Sequence, residues 1–346
     1  MMQDLNVRNI YDTTAPNAST GIINGESSNV LNWDDVRFSW AYPLYKHMLA
    51  NFWTPFEINM ASDQKQFDQL SDDEKEAFKK IIGLLAFLDS VQTDYSLRAS
   101  QYLTDSSLVA LMTVLSFQEV VHNQSYSYVL SSLVPKEEQD EVFEYWKTDE
   151  VLLERNEFIA KGYQAFAENP TPQTFLESIV YDVILEGLNF YSGFSFFYNL
   201  ARQQKMVSTS TMINYINRDE QLHIRLFANI FQELLRENPS LDTAENRQFV
   251  TDAFHEAALL EIKWGHHILG DRIEGISMEE LDQYIKFMAN KRAGQLGGEP
   301  PFPGYRSNPM KWIKAYEDVN AAKSDFFEQK SRQYAKVTDA NGFDEL

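Results

Sequence analysis

The stretch "SFQEVVHNQSY" sets Glu119, His122 and Tyr126 at i, i+3 and i+7, a spacing that projects all three from one face of an α-helix. The residues before it, "LVALMTVLSF", are almost wholly apolar, so the helix is headed for a core. A carboxylate there costs free energy unless something pairs with it. A second E-x-x-H, Glu220 and His223, stands in "NYINRDEQLHIRLFANIF". Two further apolar stretches offer acids without a histidine: Asp89 in "IIGLLAFLDSVQ", and Asp182 with Glu186 in "YDVILEGLNFY". Along the chain the order is carboxylate, E-x-x-H, carboxylate, E-x-x-H.

Glutamate and histidine one turn apart reach the same side of a helix. Two such helices, plus one carboxylate from each of two others, present four negative charges and two neutral imidazoles. Two divalent cations would bring that set close to neutrality, as a low-dielectric interior requires. Oxygen and nitrogen donors suit iron or manganese. The chain has no cysteine, which excludes thiolate sites, disulfides and cysteine nucleophiles. A lone E-x-x-H is more often a surface pair; two copies, in order and in apolar surroundings, carry the assignment. Spacing does not choose between Asp182 and Glu186, one turn apart on one face. The "DAFH" at 252–255 has no partner carboxylate helix, so His255 reads as structural; the adjacent His266 and His267 read as surface residues, and His47 has no acid pair. Tyr126 follows His122 by one turn and is either a hydrogen-bonded core tyrosine or a redox-active phenol. An oxidised phenol persists only where water is excluded. Phe190 and Phe194, at i+4 and i+8 from Glu186, and Ile216, four before Glu220, are candidates for that apolar wall.

The elements that must position these groups are helices. "LSDDEKEAF" offers a capping box, Ser71 with Glu74, opening a helix to about Arg98. "TDSS" at 104–107 caps the next, which stops before Pro135. Further helices are expected over 137–168, 173–203, 208–236 and 243–271, with a shorter one over 277–292. Long helices joined by short polar turns predict an all-α antiparallel bundle. Residues 1–30, polar and rich in Asn, Ser, Thr and Gly, read as a mobile arm; 31–320 as the helical domain; 321–346 as a flexible tail. The 346 residues are 44% hydrophobic, enough for a large core, and carry a net charge of −21. That charge argues against nucleic-acid binding and against docking on an anionic membrane. No signal peptide is evident at the start. The most apolar window, "SIVYDVILEGLNFYSGFSFFY", carries Asp182 and Glu186, which lipid would not tolerate. A cytoplasmic protein is expected.

With these motifs in hand, "FLDSVQ", "EVVHNQSY", "LEGLNFYSGF", "RDEQLH", "FMANKRAGQLG" and "KSDFFEQKSRQYAKV", the sequence resembles the radical-generating small subunit of class I ribonucleotide reductase. That group belongs to the ferritin-like di-metal carboxylate proteins, whose ligand pattern matches the one above. The resemblance runs from about "NFWTPFEINM" to the end of the chain. It implies six metal ligands, Asp89, Glu119, His122, Glu186, Glu220 and His223, and so favours Glu186 over Asp182. It implies a dinuclear Fe2 or Mn2 centre, with a flavodoxin-like activator if the metal is manganese. It implies a stable radical on Tyr126, passed through Trp53, bridged to His122 by Asp219, and through Tyr334 to the large catalytic subunit. There it starts the reduction of ribonucleotides to deoxyribonucleotides. The end of the chain, "GFDEL", resembles the family's docking tail, with Phe343 and Leu346 as apolar anchors. A homodimer is expected. The competing readings are a ferritin-like two-metal oxidase, a metal-storage or metal-binding protein, and a scaffold bundle whose buried acids are merely paired.

Overall fold

The computed structural model describes residues 4–314, and among them the regular elements are α-helices and short 3-10 turns. In chain order the helices are α1 (Ala41–Ala50), α2 (Ala61–Phe67), α3 (Asp72–Ser100), α4 (Ser106–Leu133), α5 (Lys136–Glu144), α6 (Glu150–Glu168), α7 (Pro172–Gly187), α8 (Tyr191–Arg202), α9 (Val207–Glu237), α10 (Ala244–Ile268) and α11 (Met278–Gln295). All lie in one compact unit that ends at Pro309. The 3-10 turn Lys311–Ile313 belongs to a second unit. The expected tail at 321–346, with Tyr334, Phe343 and Leu346, falls outside the described residues.

Four helices form the centre. α3 packs on α4, α4 on α9, α9 on α7, and α7 on α3, closing a ring; α6, α10 and α11 cover the α7 side. Local chemistry fixes where each begins. Ser71 Oγ accepts from Glu74 N at 3.1 Å while Glu74 Oε2 accepts from Ser71 N at 2.9 Å, the capping box expected for α3. Asp105 caps α4 by accepting from Ser107 N at 2.9 Å. Thr171 caps α7, with Pro172 at its first position. α9 has no cap of its own. The buried Asp63 of α2 takes that part, accepting from Ser208 N at 3.1 Å and Thr209 N at 2.7 Å.

Three expectations need correction. The N-terminal segment is not a free arm. Leu5 N donates to Pro170 O at 2.8 Å, Thr104 N to Ile22 O at 2.9 Å, and Ile22 N to Glu237 Oε2 at 2.7 Å. Leu5, Ile22 and Ile23 are buried; a few apolar side chains in a polar stretch suffice to pin it. The single helix expected over 137–168 is two, because Asp149 starts α6 afresh by accepting from Leu152 N at 2.9 Å. The helix expected over 173–203 is also two, broken at 188–190.

That second break is held by buried cations. Leu188 N and Asn189 N both donate to Ile184 O, at 2.9 and 3.1 Å, the latter an i→i+5 bond of π-helical type. Arg155 donates to Asn189 O and pairs with Glu261 at 2.6 Å; Glu261 in turn accepts from Ser192 N and Ser192 Oγ. On the other side Arg292 donates to Gly187 O at 3.3 Å, Tyr191 OH at 2.8 Å and Gln221 Oε1 at 2.9 Å. A Cβ at residue 187 would sit 3.0 Å from Arg292 Nε, which explains the glycine there. Arg155 and Glu261 are almost fully buried. Glu261→Ala strands the guanidinium, so urea unfolding should show a loss of roughly 3–5 kcal/mol; a loss under about 1 kcal/mol would mean that the pair does not hold the break.

Candidate metal centre

Each helix of the central ring delivers its acids or histidine to one buried pocket. α3 supplies Asp89, α4 supplies Glu119 and His122, α7 supplies Glu186 in its last turn, and α9 supplies Glu220 and His223. All six are at most 1% exposed. They form two overlapping groups whose ligand atoms lie within 4.8 Å of one another. One is Asp89, Glu119, His122 and Glu220; the other is Glu119, Glu186, Glu220 and His223. Glu119 and Glu220 belong to both. His122 Nδ1 lies 3.2 Å from Glu220 Oε1 and 3.8 Å from Asp89 Oδ2. His223 Nδ1 lies 2.9 Å from Glu119 Oε1 and 3.4 Å from both Glu186 Oε2 and Glu220 Oε2.

These atoms face one another without hydrogen bonds. Both oxygens of Asp89 and of Glu220, Glu119 Oε1, Glu186 Oε2 and the Nδ1 atoms of both histidines have no hydrogen-bond partner. Buried polar atoms are seldom left so, and a cluster of them calls for a missing partner. Carboxylate oxygens and imidazole nitrogens converging on two overlapping positions fit a pair of divalent cations of the iron or manganese kind. The electrostatics agree. Burial, then the charges of Glu119 and Glu220, pushes the Asp89 carboxyl well above the usual range. Burial and the neighbouring Asp182 do the same to Glu186. Burial alone would lower the pKa of His122, but its interactions with Asp219, Glu119 and Glu220 outweigh that and raise it. His223 is likewise raised, against its burial, by Glu186, Glu119 and Glu220. Glu220 is lowered despite burial, because both imidazoles face it.

The two acids that spacing could not separate differ in their surroundings. Asp182 turns to Gln92 and Tyr163, at 2.5 and 3.4 Å, and joins neither four-residue group. The back of each histidine is also held. His122 Nε2 lies 3.3 Å from Asp219 Oδ2, and the same oxygen accepts from Trp53 Nε1 at 2.8 Å. Trp53, in the loop after α1, stacks on His122 with ring centroids 6.3 Å apart. Asp219 Oδ1 is 3.5 Å from Arg218 Nη2. His223 Nε2 pairs with Gln118 Oε1 at 3.0 Å. Gln118, Arg218 and Gln92 were not singled out by sequence. Their only signal was that they are polar residues in apolar helical stretches, as the acids are.

Tyr126 is buried beside this pocket, and its hydroxyl faces Asp89 without forming a hydrogen bond of normal geometry. Burial, then the charges of Asp89 and Glu220, holds the phenol well above its ordinary pKa, so it stays protonated. Phe190, Phe194 and Ile216 are buried. The two phenylalanine rings lie 5.5 Å apart. The break at 188–190 removes the continuous helical face from which their placement was argued. The remaining histidines stay out of the pocket: His266 pairs with Asp282, His267 with Asp149, and His255 stacks on Phe302.

Comparison with known proteins supplies the context. Residues 30–309 match the family described as "Ribonucleotide reductase, small chain". The ribonucleoside-diphosphate reductase subunit beta of Halalkalibacterium halodurans is 75% identical over 345 residues, covering 100% of both chains. A crystal structure of a putative class I ribonucleotide reductase from Bacillus halodurans superimposes with a TM-score of 0.87 at 74% identity, over 90% of this chain and 100% of that one. The dimanganese(II)-NrdF structure from Streptococcus sanguinis gives a TM-score of 0.74 at 25% identity, over 84% of this chain and 99% of that one. The expected all-α, ferritin-like bundle is the fold of the chain.

Proposed function

The chain belongs to the ribonucleotide reductase small-chain family, and from that premise we propose that its buried pocket holds a two-metal centre beside a redox-active Tyr126. It is the small, beta subunit of a class I ribonucleoside-diphosphate reductase, an oxidoreductase. Asp89 and His122 would hold one ion and Glu186 and His223 the other, with Glu119 and Glu220 belonging to both groups. The observation that carries this reading is the sharing: two four-residue groups with Glu119 and Glu220 in common. The metals are iron or manganese. The dimanganese relative supports the second choice, and a manganese centre would call for a flavodoxin-like activator.

When bound and oxidised by dioxygen or superoxide, two such ions would supply the oxidising equivalent for removing one electron from the Tyr126 phenol. Asp89 interacts with that phenol and is the acid placed to receive its proton. Phe190, Phe194 and Ile216 keep water from the ring. Asp219, joined to His122 on one side and Trp53 on the other, couples the pocket to a buried indole. From Trp53 the equivalent passes to Tyr334 and on to the large subunit, where ribonucleotide reduction begins. The C-terminal residues dock on that subunit. The exposed apolar side chains Leu49, Phe52, Phe117 and Val120 of the α1–α4 side support pairing with a second copy. No helix among the described residues is long and apolar enough to cross a membrane, which is compatible with the expected cytoplasmic location. A two-metal oxidase or a storage bundle would use the same acids. Neither has a use for the His122–Asp219–Trp53 bridge.

Deleting the residues after Asp339 should leave metal content and the Tyr126 radical unchanged but reduce holoenzyme activity to background. Full activity would remove the docking role of the tail.

The acid pocket also fixes a pH dependence. Asp89 and Glu186 have folded pKa values above their unfolded ones, and so do both histidines. The folded metal-free chain therefore binds more protons than the unfolded chain, and its stability falls as pH rises through the folded values. Glu220 works in the opposite sense but is outnumbered. Metal displaces these protons. Thermal unfolding of metal-free protein should show Tm dropping as pH rises above the ordinary carboxylate range. Metal uptake in weak buffer should release protons to an indicator dye. A flat Tm and proton-neutral uptake would contradict the pocket chemistry.

A further inference from the structure

Glu186 differs from Asp89 and Glu220 in having one oxygen engaged outside the pocket. Its Oε1 accepts a short hydrogen bond from Gln92 Nε2, while Oε2 has no hydrogen-bond partner and faces His223 Nδ1 at 3.4 Å. Asp89 and Glu220, by contrast, have both oxygens free. Gln92 is fully buried on α3, one turn beyond Asp89. Its amide is oriented from both ends. Nε2 also donates to Asp182 Oδ1 at 2.5 Å, and Oε1 accepts from Tyr163 OH at 2.8 Å. Turned over, the amide would set its oxygen against two carboxylate oxygens, so this orientation is the one that satisfies all partners. Tyr163 is fixed in its turn: it stacks on Tyr95 with centroids 4.0 Å apart and planes within 1°, and Tyr95 OH pairs with Ser178 Oγ at 2.9 Å.

We propose that Gln92 is a positioning residue for the metal centre, held by Tyr163 and Asp182, that restricts Glu186 to a single oxygen facing the ion beside His223. The inference rests on the two-metal reading above. Its effect is confined to one ion, because Glu186 belongs to only one of the two four-residue groups. Partners that orient a ligand from behind typically contribute 10–100-fold in metal affinity. Removing either Gln92 or the Tyr163 hydroxyl that helps to orient it loosens Glu186 alone.

The test is a Mn(II) titration of the full-length chain, read by electron paramagnetic resonance for lone and coupled ions. Wild type should take up two ions with a coupled signal. Gln92→Leu and Tyr163→Phe should weaken one ion by about 10–100-fold, with the other unchanged, so that a lone-ion signal persists at intermediate loading. Tyr95→Phe removes a hydroxyl from the same stacked pair without touching Gln92. It should lower Tm about as much as Tyr163→Phe while binding manganese as wild type does. If Gln92→Leu does not fold, Tyr163→Phe against Tyr95→Phe decides. Wild-type affinities in the folded Gln92 and Tyr163 variants would overturn the proposal, as would equal weakening of both ions or the same loss in Tyr95→Phe. A wild-type chain that takes up fewer than two ions contradicts the two-metal reading, and the role of Gln92 with it.

Discussion

Alanine at Glu119 or at Glu220 should empty both metal positions at once. Each of these carboxylates belongs to both four-residue groups, whereas Asp89 and His122 belong to one and Glu186 and His223 to the other. Losing a shared ligand therefore weakens both ions, by well over the ~100-fold typical of a mere supporting residue. The stoichiometry of iron or manganese, measured after gel filtration, should fall from two ions per chain to near zero. Asp89→Ala or His223→Ala should retain one ion under the same conditions. The fold should survive. The helical bundle rests on its apolar core, so the metal-free variants should keep the helical content of the metal-free parent by circular dichroism. A Glu119 or Glu220 variant that keeps two ions would remove that residue from the ligand set. One that loses metal only because it unfolds would leave the ligand assignment without support.

The second large effect is Tyr126→Phe. The hydroxyl forms no hydrogen bond of normal geometry, so its removal should change stability by less than about 1 kcal/mol. Metal content should stay at the parent level, since the phenol belongs to neither group of ligands. The tyrosyl signal should vanish, and activity with the large subunit should fall by roughly a thousandfold or more, about 4 kcal/mol in barrier terms. That combination, an unchanged fold and metal site with activity gone, separates a redox phenol from a packing tyrosine. An unchanged radical signal in the phenylalanine variant would place the radical on another residue.

How much of this was legible in the sequence follows from what each feature depends on. The ligand residues were readable because they break a local rule: acids and histidines in apolar helical stretches, twice at i and i+3. The starts of α3 and α4 were readable because their caps are local, Ser71 with Glu74 and Asp105 with Ser107. The break at 188–190 was not. "ILEGLNFYSGF" contains no proline and no cluster of turn residues, and what opens the helix lies far away, in Arg155, Glu261 and Arg292. The same holds for α9, whose start is capped by Asp63 from another helix. Telling Glu186 from Asp182 also needed three dimensions, because the two share a helical face and both accept from Gln92, and differ in what else stands opposite: His223 for one, Tyr163 for the other. The N-terminal segment was misread for a related reason. Its composition is that of a mobile arm, and only the grooves that accept Leu5, Ile22 and Ile23 say otherwise.

The bridge from His122 through Asp219 to Trp53 gives the pocket a direction. A storage site needs acids and access; this one has an indole tied to the back of a ligand by a single carboxylate oxygen. The other oxygen of that carboxylate lies 3.5 Å from Arg218 Nη2. Under the proposed function, this bridge would be the way out of the pocket for the oxidising equivalent.

The measurement that bears most directly on the central claim is electron paramagnetic resonance of the full-length protein loaded in two ways: with iron and dioxygen, and with manganese and a superoxide source. The account predicts a tyrosyl radical, magnetically coupled to a two-metal centre, under at least one of the two conditions and absent from Tyr126→Phe. Two bound ions with no radical under either condition would contradict it, and would return the chain's acids to the service of an oxidase or a store.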